Sequence, residues 1–226
     1  MSKSPKSHLL EQLRAQAESV ASLREQERQL SRDVIERLDR RLHAIFQYFD
    51  EACKLLQIIS PAIEREFVLP QVARFHNMRF ERGMVLFRRQ PLQHRDVYAH
   101  VVVYYSLTGP VPAPVRVALR RSPEVERALT AANIEFSCET DSAVRGAALR
   151  NVIHIAPGLR CEIRFDPDFV NDSIIVTLRN VDRFDPVIFD FKAGALETEA
   201  LDDLVNVILG KPSQFLHRAP LRGFDR

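Results

Sequence analysis

The sequence predicts an α+β protein in which a long N-terminal coiled-coil helix precedes a mostly antiparallel β-sheet domain with two or three helices. Residues 8–60 contain neither glycine nor proline, as a continuous helix requires. After Val68 the apolar period changes from three or four residues to two, which is typical of strands. We therefore divide the chain into a disordered start at 1–7, a long helix at 8–60 and a β-rich α+β domain at 61–226.

The N-terminal helix carries an apolar stripe that changes in width. As far as Leu38 it is narrow and flanked by charges, a pattern typical of a coiled coil, although Glu27 interrupts it. Over 42–63 it broadens, as a helix packed against a core requires. We expect the broad part to dock on the C-terminal domain and residues 8–45 to form a homodimer or higher oligomer; the alternative is a hairpin folded back within one chain. The predicted oligomer interface is formed by Leu13, Ala17, Val20, Leu23, Leu30, Val34 and Leu38.

The C-terminal part reads as one sheet of six to eight strands with helices on one side. Apolar and charged residues alternate over 159–166, which indicates a strand with one wet face, whereas 96–108 is apolar on both faces and predicts a central strand. Ser122 and Pro123 predict an N-cap and first turn, and Gly210 ends a terminal helix over Thr198–Leu209. Further strands are predicted at 84–89, 115–120, 134–140, 151–156, 173–180 and 187–192.

Composition excludes several classes of protein. With 46% hydrophobic and 27% charged residues, the chain is globular and not disordered. Its seven glycines are scattered, which excludes a dinucleotide fingerprint, a Walker A loop and a Gly-x-Ser-x-Gly elbow. Cys53, Cys138 and Cys161 lack metal-ligand spacing and are predicted to be buried free thiols, so we expect no metal and no cofactor. The polar start and the absence of a long apolar run predict a cytoplasmic protein without membrane contact.

Positive charge is concentrated in the middle of the chain. Residues 59–121 carry ten basic and four acidic side chains, and all ten basic side chains are arginines. Arginines on one side of a sheet can follow phosphates, and Tyr98 and Tyr104 could add stacking if exposed. The alternative is a solvated or salt-bridged surface. The predicted polyanion-binding residues are Arg88, Arg89, Arg116, Arg120 and Arg121.

A second candidate site combines Asp172, Asp190 and Lys192. Restriction-type nucleases hold a divalent metal with carboxylates on adjacent strands and use a nearby lysine. The spacing permits this chemistry, although ordinary strand alternation also explains it. The sequence therefore predicts a non-enzymatic cytoplasmic oligomeric binding or scaffold module that presents a β-rich domain to a protein or polyanion partner. The alternatives are a metal-dependent nuclease and a nucleic-acid-binding protein.

Overall fold

A single long helix opens the described part of the chain. The computed structural model describes residues 8–141 and 150–222, and within 8–30 it describes the backbone and only the side chains of Gln16 and Val20. Helix α1 spans His8–Ile59, 52 residues, or about 78 Å at the usual rise of an α-helix. It ends before Pro61, as predicted. The predicted disordered start at 1–7 lies outside the described residues.

The described strands all pair antiparallel. In chain order they are β1 Phe67–Leu69, β2 Ala73–Phe75, β3 Arg79–Leu92, β4 Arg95–Thr108, β5 Val115–Ala118, β6 Phe136–Asp141, β7 Arg150–Ile155, β8 Gly158–Asp168, β9 Ser173–Arg179 and β10 Val187–Lys192. A five-stranded sheet has the order β10-β9-β8-β4-β3, a three-stranded sheet has the order β5-β7-β6, and β1 pairs with β2. Two further helices are α2, Ser122–Ala131, and α3, Thr198–Leu209.

Helix α1 packs with its apolar stripe against one face of the five-stranded sheet. The ring centroid of Phe49 lies 5.8 Å from that of Phe165 in β8. At Gly83 in β3 an added Cβ would lie 2.8 Å from the Cys53 sulfur, so the missing side chain lets helix and strand approach closely. The broad part of the stripe is therefore docked on the sheet as predicted, except that Leu55, Ile58 and Ile59 are exposed. Burial also extends into the narrow part of the stripe, and the buried residues of α1 are Ile35, Leu38, Leu42, Ile45, Phe49, Cys53 and Leu56.

Helix α3 lies beside α1 on this covered face. The Tyr48 hydroxyl of α1 donates a 2.5 Å hydrogen bond to Asp202 of α3. The helix ends at Gly210, whose φ of +73° is the left-handed conformation that glycine adopts without strain, as the sequence predicted. In the described ranges, no helix has the length and apolar character needed to cross a membrane.

The prediction of a single sheet is wrong, because the predicted strands divide between the five-stranded and the three-stranded sheet. Strand β5 and its neighbours form a separate layer, and Leu129 of α2 and Ile153 of β7 are buried in the same hydrophobic core as the larger sheet. The predicted strand over 115–120 stops at Ala118, and Leu119–Arg121 forms a 3-10 helix. The hairpin of β1 and β2 has no counterpart in the sequence prediction.

Two local predictions also need correction. Ser122 is the first residue of α2 and not its N-cap, because the helix follows directly from the 3-10 helix before it. Its hydroxyl instead donates to Glu126 and accepts from Asn151. Cys138 is exposed, whereas Cys53 and Cys161 are buried as predicted. Burial raises the pKa of the Cys53 thiol to about 11 and that of Cys161 to about 12, so both remain protonated at neutral pH.

Candidate functional site

A pocket of about 590 Å³ opens on the face of the five-stranded sheet opposite α1. It lies where this face meets the C-terminal end of α2 and the loop between β9 and β10. Its volume falls in the range of roughly 300–1,000 Å³ that small-molecule sites occupy. The side chains that matter for its chemistry are Arg82, Met84, Tyr104, Arg160, Glu162 and Arg179.

Antiparallel register brings these side chains together from four strands. Met84 lies opposite Tyr104, Tyr104 opposite Glu162, and Glu162 opposite Arg179, which makes one continuous row across the sheet. In a neighbouring row Arg82 and Arg160 flank Ser106. Since residues two apart on a strand share a face, both rows face the pocket.

Positive charge exceeds negative charge in the pocket. Arg179 lies 4.0 Å from Glu162, and Arg160 forms an ion pair with Glu135 on the pocket's outer side. Arg82 forms no ion pair with any residue in 8–141 or 150–222 for which side chains are described. Its guanidinium group is exposed and therefore free to bind an anion.

A buried asparagine fixes two walls of the pocket relative to each other. The Asn180 side-chain amide donates to the carbonyl of Ala132 at the end of α2, at 2.7 Å, and to that of Arg160 in β8, at 2.9 Å. The Cys161 thiol donates to the Asn180 carbonyl at 3.0 Å. The bond to Ala132 joins the end of α2 to the larger sheet and holds these two walls of the pocket together.

A second polar cluster lies on the same sheet face. Arg164 donates to the carboxylate of Asp166 at 2.8 Å and to Nδ1 of His100 at 3.1 Å. Burial and the positive charge of Arg164 lower the pKa of His100. His100 is therefore a neutral acceptor near pH 7, and this cluster has the character of a satisfied structural network.

The predicted row of polyanion-binding arginines is not continuous. Arg88 is exposed on the pocket face of β3, whereas Arg89 contacts Asp39 and lies 4.8 Å over the ring of Tyr98 on the α1 side. Arg116 is exposed in the smaller sheet.

Arg116 lies in β5, whereas Arg120 and Arg121 lie in the 3-10 helix that follows it, so Arg120 does not belong to the strand predicted over 115–120. Arg121 lies 3.8 Å from Glu124 and bonds Gln71. Of the two tyrosines expected to stack if exposed, Tyr104 is exposed and Tyr98 is buried.

The predicted nuclease residues are held by different partners. Both carboxylate oxygens of Asp172 accept from Arg37 of α1, at 2.7 and 3.2 Å. Lys192 donates to the carbonyl of Asn171 at 2.8 Å, and Asp190 lies 3.9 Å from Arg222. In the described part of the chain, no three His, Cys, Asp or Glu side chains are grouped to hold a metal ion. Asp172 thus serves as a structural ion pair between α1 and the β8–β9 turn.

The residues of the predicted oligomer interface differ in burial where the structure describes their side chains. Leu38 is completely buried against its own sheet, so its assignment to an intermolecular interface is wrong, and Val34 is half-buried beside it. Val20 is 47% exposed. The side chains of the remaining predicted members lie outside the described ones; these members are Leu13, Ala17, Leu23 and Leu30.

No family model, no curated protein and no solved structure matches this chain. The pocket residues were not predicted as a site, although Tyr104 was noted as a possible stacking residue. Strand alternation alone places Tyr104 on the other sheet face from its buried neighbours Val103 and Tyr105, and this signal could have marked the face of Tyr104 as solvent-exposed. Which strands adjoin Tyr104 depends on pairing between distant segments.

Proposed function

We propose that this chain is a non-enzymatic, cytoplasmic oligomeric module in which a coiled coil presents a β-rich body to a protein or polyanion partner. The observation that supports this proposal is the length of α1. Gln93 in the turn between β3 and β4 bonds Ser31 of the helix, and Arg95 at the start of β4 bonds Glu36. The helix backbone continues N-terminal to this contact over residues 8–30, which is about 35 Å.

This N-terminal extension carries the narrow apolar stripe of the sequence. Val20 is 47% exposed although it belongs to that stripe, so its own chain does not bury it. Exposed apolar residues at intervals of three and four on a long helix favour pairing with a second helix of the same kind. Two or more bodies held together in this way bind a repeated partner with increased avidity.

The Leu13→Asp/Val20→Asp double variant is expected to dissociate the oligomer. Charges placed in the stripe of a coiled coil oppose burial, whereas Ser22→Asp/Gln29→Asp places the same charges on the opposite side of the helix by its period of 3.6 residues. We expect light scattering to give a multiple of 26.0 kDa for the unmodified chain and the control, and 26.0 kDa for the stripe variant. A monomeric unmodified chain, or an oligomer that survives both substitutions, would contradict the proposal.

The polyanion alternative is supported by exposed arginines of the smaller sheet and its adjoining 3-10 helix. Arg116 and Arg120 are exposed and form no ion pair with the side chains the structure describes. Each arginine that neutralises a phosphate adds about one to the slope of log affinity against log salt concentration.

For a short labelled DNA duplex, Arg116→Ala/Arg120→Ala should therefore reduce this slope by about two. The matched control is Arg32→Ala/Arg40→Ala, which removes two exposed arginines from α1. Anisotropy titrations at several salt concentrations measure both. Equal slopes for the two double variants would exclude these residues as a polyanion site and leave a protein partner as the proposed target.

A further inference from the structure

We propose that the pocket on the sheet face opposite α1 binds a small organic anion that carries an aromatic or other planar ring. This inference does not depend on oligomerisation, because all the pocket residues belong to one chain. The ligand class follows from three properties of the pocket, which are its arginines, its apolar wall and its fixed shape.

The arginines provide the anion-binding end. Arg82 and Arg160 come from the row that crosses Ser106, and Arg179 comes from the adjoining row. Arg160 forms an ion pair with Glu135, and Arg179 forms one with Glu162. Arg82 has no such partner among the described side chains. A guanidinium group presents a planar fork of donors that matches the oxygens of a carboxylate, phosphate or sulfonate.

The apolar wall provides a surface for the ring. Tyr104 and Met84 lie side by side on the sheet and both are exposed, and Phe184 of the β9–β10 loop lines the same pocket. Aromatic rings bind planar groups by stacking, and a thioether adapts to an irregular contact. Exposed apolar side chains next to an uncompensated arginine are the combination that an aromatic anion requires.

Glu162 sets the position of the anion within the pocket. Glu162 lies between Tyr104 and Arg179 in the row that begins at Met84, so its carboxylate repels an anion from that end of the pocket. The charged group of the ligand is therefore directed toward Arg82 and Arg160, and its ring toward Tyr104. A divalent cation is not the expected ligand, because three arginines surround the one lining carboxylate.

The probe for this proposal is 8-anilinonaphthalene-1-sulfonate, an aromatic sulfonate whose fluorescence rises on binding. We expect saturable binding of one probe per chain and a dissociation constant that increases with salt concentration. The Arg82→Ala/Arg160→Ala double variant removes the two arginines toward which the anion is directed and should bind at least tenfold more weakly, and Tyr104→Ala should also weaken binding. All three positions are exposed, so the variants retain the fold, which thermal unfolding verifies.

Arg32→Ala is the matched control, since it removes an exposed arginine of α1 that does not line the pocket, and the affinity of this variant for the probe should be unchanged. Displacement by phenyl phosphate or by benzoate identifies the charged group that the site prefers. The proposal is overturned if the double variant binds the probe as the unmodified chain does, if Arg32→Ala weakens binding equally, or if neither competitor displaces the probe.

Discussion

Phe49→Ala is expected to lower the free energy of unfolding by about 4 kcal/mol. The ring of Phe49 is 1% exposed and contacts Phe165 of β8 and Tyr48 of its own helix. Its removal leaves a cavity between α1 and the centre of the sheet, and the helix backbone cannot move closer because Gly83 and Cys53 are already in contact range. Urea denaturation followed by far-ultraviolet circular dichroism measures the loss.

Phe87→Ala is the matched control, because it removes the same side chain from the same helix–sheet interface at its edge. The ring centroid of Phe87 lies 5.0 Å from that of Phe46, but the Phe87 side chain is 46% exposed. We therefore expect a loss of about 1 kcal/mol, since only part of the ring leaves water on folding. Equal losses for the two variants would show that α1 does not pack on the sheet centre as described.

Helix boundaries were predictable because local residues determine them. Pro61 ends α1 and Gly210 ends α3, each through its own backbone geometry. Most of the strands were located for the same reason, since alternation is a local pattern, but the short strands β1 and β2 were missed. Their division into two sheets was not predictable, because the bonds between β5 and β7 join residues more than thirty positions apart. The prediction of an N-cap at Ser122 was wrong because the preceding 3-10 helix supplies the backbone conformation that a cap would otherwise provide.

The candidate pocket was less accessible to sequence reasoning than the fold. Arg82, Tyr104, Glu162 and Arg179 are neighbours only through the register of β3, β4, β8 and β9. Their spacing along the chain forms no motif. For Asp172, a permissive spacing suggested metal chemistry as one alternative, and the structure places Arg37 against its carboxylate. Spacing indicates which side chains share a face, and pairing decides which of them meet.

Asn180→Asp is expected to lower the free energy of unfolding by about 4 kcal/mol at pH 7.5. The buried amide donates to the carbonyls of Ala132 and Arg160. An ionised carboxylate in its place donates nothing and faces two oxygens that already carry negative partial charge. The size and shape of the side chain are unchanged, so the loss reports hydrogen bonding and charge and not packing.

The matched control is Asn133→Asp. Asn133 and Asn180 both have positive φ, of 52° and 57°, but Asn133 is exposed. The same chemical change in the same backbone conformation should therefore cost less than about 0.5 kcal/mol at a surface position. A comparable loss for both variants would attribute the effect at Asn180 to the backbone and not to its buried bonds.

The deficit of Asn180→Asp should also depend on pH. Burial and the two facing carbonyls raise the pKa of the new carboxyl in the folded state above its value of about 3.9 in the unfolded chain. A raised folded-state pKa adds stability that is complete below the unfolded value and is lost as pH rises, so the deficit should be smallest near pH 4. The deficit should then grow by about 1.4 kcal/mol per pH unit until the folded-state pKa is passed.

Urea denaturation of the variant and the unmodified chain at matched pH values measures this difference. A deficit that stays constant from pH 4 to pH 7.5 would show that residue 180 is in contact with water, in which case the two walls of the pocket would not be joined by a buried bond.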